Sequence, residues 1–166
     1  MLSGMATTPP KARVQWHFDS LQQEVFLSLW RTYDRLRVVE DELFRTYDLS
    51  PQQYNTLRLL RAVHPDPLPT LAISKRLVSH APDITRLLDK LEQRGLISRE
   101  RPPENRRSVL ATITRAGLDL LSDLDERVRE SHLRQLGHLS EAELRKLVDL
   151  LRAARSPHEP EGSPWK

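Results

Sequence analysis

The residues of this chain best suited to chemistry are arginines. Arg99, Arg101, Arg106 and Arg107 cluster around a Pro-Pro pair in the stretch S-R-E-R-P-P-E-N-R-R-S. A guanidinium is always charged and presents its donors as a planar fork, which suits phosphate oxygens and the edge of guanine. Prolines end regular structure, so the stretch reads as a tip that holds positive charge away from the body of the protein. A second group precedes it: Lys75, Arg76, Ser79, His80, Pro82, Thr85 and Arg86. Residues 75–115 carry ten Lys/Arg against five Asp/Glu, whereas the rest of the chain carries 16 against 18. A basic segment on a mildly acidic body is the footprint of a protein that meets a polyanion with one face. A solvated helix face is the plain alternative.

Nothing comparable points to catalysis. There is no Gly-rich phosphate cradle, no nucleophile motif and no His-Glu helix pair, and neighbouring carboxylates such as Asp41 and Glu42 diverge on a helix. The chain has no cysteine, which excludes disulfides, thiolate nucleophiles, zinc–thiolate sites and thiol redox sensing. Its six histidines form no metal constellation: His132 and His138 fall on different helix faces. The reading is therefore no enzyme, no cofactor and no metal. With 166 residues, 38% apolar, 30% charged and only 5 Gly, the chain suits one mainly helical domain. No apolar run approaches the length of a membrane span. The start, MLSGMATTPPKARVQ, lacks the apolar middle of a signal peptide, so the cytoplasm is expected.

The elements that must position the arginines follow from periodicity and punctuation. Leu21, Val25, Leu29, Leu36, Val39 and Leu43 recur at helical spacing and predict a long first helix, about Phe18 to Tyr47. Ser50-Pro51-Gln52-Gln53 is a capping-box start with proline at the first position of a second helix, which ends before the prolines at 65 and 67. Thr70 is the expected cap of a short third helix ending near Leu77. Val78 to Ala81 reads as a turn, and Pro82 opens a fourth helix with stripe Ile84, Leu87, Leu88 and Leu91, stopped by Gly95. Two strands, Leu96–Arg101 and Val109–Ile113, flank the Pro-Pro tip. Thr114 caps a long helix that Gly137 stops, and Ser140-Glu141-Ala142-Glu143 opens a last one with stripe Leu144, Leu147, Val148 and Leu151. That stripe offers more apolar surface than a terminal helix buries on its own chain, and a symmetric partner is the simplest cover. Residues 1–17 read as a mobile arm and 154–166 as a disordered tail.

A short helix, a turn, a second helix with a basic outer face and a hairpin with arginines at its tip is the plan of a winged helix-turn-helix. The fold class is thus mainly α with a small β-hairpin wing. At this point the chain resembles the MarR family of bacterial transcription regulators. The likeness rests on D-I-T-R-L-L-D-K-L-E-Q-R-G-L-I-S-R at 83–99, P-P-E-N-R-R-S at 102–108 and T-I-T-R-A-G at 112–117. It implies one domain over 18–153, with a DNA-binding lobe at about 50–114 and dimerisation helices at about 18–47 and 115–153. It further implies a homodimer on a pseudo-palindromic double-stranded operator, commonly a repressor released by a small aromatic or phenolic effector. The family usually places Asp in the wing where this chain has Asn105, which can accept a hydrogen bond but cannot pair its charge with an arginine. Arg107 best matches the family's DNA-contacting wing arginine.

Particular residues then take expected roles. Arg86, early in the fourth helix and off its stripe, suits a bidentate contact to guanine; a phosphate contact is the plainer option. Thr85 and Pro82 are placed for a thymine methyl, Ser79 and His80 for phosphate. Asp83 favours the helix N-terminus. Arg106 and Arg107 carry the tip, Arg99 and Arg101 share one side of their strand, and either can instead cover the wing's outer face. Lys75 and Arg76 reach phosphate or plain solvent. Trp16, His17, Trp30 and Arg31 are the candidate ligand residues, although an aromatic such as Trp30 on a helix stripe reads first as core. A module that binds an acidic protein partner is the competing function; the high charge at the centre of the face favours DNA over it.

Overall fold

The computed structural model describes residues 17–79, 83–103 and 108–166. In chain order the elements are α1 (Leu21–Arg45), α2 (Pro51–Val63), β1 (Leu68–Pro69), α3 (Thr70–Arg76), α4 (Ile84–Gln93), β2 (Ile97–Glu100), β3 (Leu110–Ile113), α5 (Arg115–Leu136) and α6 (Glu141–Arg155). The chain divides into two units, Met1–Arg35 and Leu36–Lys166.

The first unit is the opening half of α1. Ser20 Oγ accepts from the Gln23 N–H, and Gln23 Oε1 accepts in return from the Asp19 N–H. These bonds satisfy donors that a helix start leaves open. Leu21, Phe26, Trp30 and Tyr33 lie on the surface. Within the single chain Trp30 is 64% exposed, so its own unit does not bury it.

The second unit holds the core. Leu57, Leu60, Ile73, Leu88, Leu91, Ala111, Leu121 and Leu124 are fully buried, which draws one residue or more from α2, α3, α4, β3 and α5 into a single cluster. Truncating one such leucine to alanine costs about 2–5 kcal/mol. Local signals set several boundaries. Ser50 and Gln53 form a reciprocal capping box on α2, as do Ser140 and Glu143 on α6, and the Thr114 hydroxyl accepts from the Gly117 N–H to start α5.

Two expectations are corrected. The wing sheet has three strands in the order β1-β3-β2, because Leu68 pairs with Ala111 and Pro69 with Leu110. Thr70 does not cap α3: its hydroxyl donates to the Val109 carbonyl at 3.1 Å, and Pro69 stands at the cap position. The chain after α6, expected as a tail, is described through its last residue. It makes a 3-10 turn over Ser156–His158 and folds back so that the Arg155 guanidinium lies 6.0 Å from the Trp165 ring centroid and donates to the Trp165 carbonyl. A cation over indole, with the main-chain carbonyl of the same residue as acceptor, supplies the local contacts that composition did not announce.

An ion pair joins α2 to α5. Arg61 Nη1 and Nη2 donate to the two Asp125 oxygens at 2.9 and 2.8 Å. These hydrogen bonds hold the Asp125 carboxyl below its ordinary value of 3.8, against the opposing effect of burial. A depressed carboxyl stabilises the fold above its unfolded pKa and loses that contribution as pH falls through the folded value. The side chains are 33% and 44% exposed, so solvent screening limits the pair to about 0.5–1 kcal/mol. Asp125→Asn should therefore melt below the wild type at pH 7, and the gap should close below about pH 4. Thermal melts at pH 7 and pH 3 check this; an equal gap at both would disprove the linkage.

Candidate nucleic-acid interface

Helix α3 is pinned from beneath by Ile73 and, just past its end, by Leu77, both buried. The Thr70 N–H also donates to the Val109 carbonyl at 2.9 Å, fixing its start to the returning wing strand. Lys75 and Arg76 occupy its last turn and are exposed, where cations complement the helix dipole. Ser79 follows, also exposed. His80 and Pro82 lie outside the described residues.

Helix α4 starts on Asp83, whose carboxylate accepts from the Arg86 N–H at 2.8 Å. The role expected of Asp83 is thus realised as a direct cap. Leu88 and Leu91 turn inward and are fully buried, while Thr85, Arg86 and Lys90 are exposed. The Arg86 guanidinium makes no hydrogen bond or ion pair with another described residue. The helix ends in a Schellman turn: the Gly95 N–H donates to Glu92 O and the Leu96 N–H to Leu91 O, with Gly95 at φ +68°. Just before that glycine, Arg94 donates to the Asp48 and Tyr47 carbonyls at 2.5 and 3.0 Å, just past the end of α1.

The wing is the β2–β3 ladder, with Ile97 opposite Ile113 and Arg99 opposite Ala111. Arg101 is exposed beyond the end of β2. Arg99, expected among the phosphate-contacting arginines, is turned inward at 19% exposure. Its Nε and Nη2 donate to Glu92 Oε2 at 3.0 and 2.7 Å, and Nη2 also donates to Asp89 Oδ1 at 2.5 Å. The Glu92 bond, then the Asp89 bond, raise the guanidinium pKa further, against burial. Asn105, Arg106 and Arg107, the expected tip, lie outside the described residues. Between α3, α4 and the wing runs a groove of about 1070 Å³, lined in part by Leu71, Ser74, Thr85 and Val109.

The four candidate ligand residues are not brought together by anything described. Trp16 lies outside the described residues, His17 is exposed, Trp30 has its ring 6.4 Å from Phe26, and Arg31 pairs loosely with Asp34 at 3.9 Å. Sequence reasoning missed Arg94, Asp89 and Glu92 as positioning groups. The acidic pair at i and i+3 on α4 and an arginine beside the helix-ending glycine were the available signals.

The sequence profile of the MarR family matches residues 49–109, from just before α2 to the edge of β3. A crystal structure of a MarR transcription factor from Planctomyces limnophilus is 58% identical, over 82% of this chain and 99% of its own, with a TM-score of 0.66. The chain belongs to the MarR family. It is a DNA-binding transcription regulator with the family's winged helix-turn-helix. Other relatives are more distant. The HTH-type transcriptional regulator MhqR of Bacillus subtilis is 28% identical over 129 residues, 78% of this chain and 88% of its own. The PcaV transcriptional regulator of Streptomyces coelicolor, crystallised with its natural ligand, is 26% identical over 76% of this chain and 90% of its own, with a TM-score of 0.66.

Proposed function

We propose that this MarR-family regulator is a homodimeric repressor that binds a pseudo-palindromic operator and leaves it when a small aromatic ligand binds. The observation that carries the DNA-facing part is the outer side of α4. Thr85 and Arg86 stand exposed on its first turn above a fully buried leucine stripe, with Arg86 unpaired among the described residues. Recognition helices contact base edges with their N-terminal residues, so Arg86 reads a base and Thr85 and Pro82 border it. Lys75, Arg76, Ser79, His80, Arg101, Arg106 and Arg107 hold phosphate, and Asn105 supports the wing. The lobe covers about 50–114 and the dimerisation helices about 18–47 and 115–153. PcaV, with its natural ligand, supports an effector for this chain; Trp16, His17, Trp30 and Arg31 are the candidates to meet it.

Phosphate contacts position and base contacts specify. Arg107→Ala should therefore weaken binding across sequences and lower the salt slope by about one, whereas Arg86→Ala should relax preference at one or two operator positions by roughly 1–3 kcal/mol. Binding titrations on a selected operator, its point variants and a scrambled duplex at several salt concentrations measure both. The same sequence-independent loss in the two variants would refute this division of roles. Repeating the operator titration with salicylate tests release.

A further inference from the structure

The inward turn of Arg99 calls for an account that DNA contact does not give. It sits on β2, one strand of the wing, yet its partners Asp89 and Glu92 stand on the recognition helix, ten and seven residues back. Two carboxylates on a DNA-facing helix oppose binding to a polyanion unless something neutralises them. Each stays partly open to solvent, at 42% and 39%, while the arginine between them is the most enclosed of the three. A guanidinium fork shared by two carboxylates fixes direction as well as distance, which a lysine ammonium does not. The backbone turn between helix and strand, at Gly95, fixes one end of the angle between α4 and the wing; the Arg99 bridge fixes it a second time, farther out.

We propose that Arg99, through Asp89 and Glu92, is a positioning residue that sets the wing against the recognition helix, so that base reading and phosphate contact occur in one register. It rests on the reading above that α4 reads bases while the wing holds the backbone. The clamp aligns the face without touching DNA, and so acts on specific binding alone. Non-specific binding needs only charge near phosphate and is indifferent to the angle.

The test uses the full chain, a duplex selected from genomic fragments by the wild type, and a scrambled duplex of equal composition. Arg99→Gln and Arg99→Lys should each lower the ratio of selected to scrambled affinity about tenfold, the worth of one base contact. Both should leave the salt slope unchanged. Asp89→Asn with Glu92→Gln should lower the ratio in the same way while tightening scrambled binding, because two negative charges leave the face. Adding Arg99→Gln to that pair should lower the ratio little further, since all three act as one unit. Arg99 would instead be a phosphate contact, and the clamp overturned, if Arg99→Gln weakened both duplexes alike with a slope lower by about one and Arg99→Lys restored them. A merely structural role would also overturn it, appearing as equal loss on both duplexes in proportion to a fall in the folded fraction. A wild type without preference for any duplex would overturn the reading of α4, and the clamp with it, before any variant was compared.

Discussion

Gly117→Ala should destabilise this protein by about 3 kcal/mol, near the upper end of what overpacking a core costs. In most helices the same change is favourable by about 1 kcal/mol, since glycine is the poorer helix former. Here an added Cβ would stand 2.3 Å from the Leu96 carbonyl oxygen and 2.7 Å from Ile113 Cγ1. The carbonyl is backbone and cannot rotate away. The first turn of α5 is also held against it: the Thr114 N–H donates to Leu96 O at 3.1 Å and the Thr114 hydroxyl to Gly95 O at 2.6 Å. Relief must come by lifting α5 off the end of α4 or by bending β2. A urea or thermal melt should show a midpoint lowered by roughly 6–12 °C. A midpoint equal to or above that of the wild type would show that the close approach is not real.

The second large effect concerns α6. Its stripe of Leu144, Leu147, Val148 and Leu151 leaves no residue of the helix buried, and Val148 and Leu150 are more than half exposed. If the homodimer covers this stripe, Val148→Glu with Leu151→Glu should raise the dimer dissociation constant by roughly 100-fold or more. Each side chain removed forfeits about 1.5–3 kcal/mol of burial, and a two-fold axis counts each substitution twice. Sedimentation across a concentration range reads the constant, and operator binding should fall with it. A double variant as dimeric as the wild type would assign the stripe to some other cover.

What could be read in the sequence was what the chain encodes locally. The caps at Ser50, Thr114 and Ser140 act within three residues, and the stop at Gly95 needs only its own freedom at positive φ. The helical spacing of α4 places Leu88 and Leu91 inside and Arg86 outside. What failed depended on distant partners. A two-residue strand at Leu68–Pro69 exists only because β3 lies beside it. The Thr70 hydroxyl chose a carbonyl 39 positions away over its own helix. Arg99 looked like one more basic residue in a basic tip, because its carboxylate partners sit on another element and only the fold brings them within reach.

Helix α4 is a short rod fixed at its far end. The two bonds from Arg94 to the Tyr47 and Asp48 carbonyls lie at its C-terminus, whereas Arg86 lies eight residues earlier, about 12 Å along the axis. A pivot of only about 10° at that anchor would swing the Arg86 end by roughly 2 Å, whereas donor and acceptor in a hydrogen bond keep to a window of about 0.5 Å. On the proposed reading, angular slack of a few degrees at two backbone carbonyls is therefore enough to take the Arg86 guanidinium out of reach of a base edge. If α4 reads bases as proposed, the accuracy with which this regulator distinguishes one base pair from another is set at the hinge of a lever as much as at its tip.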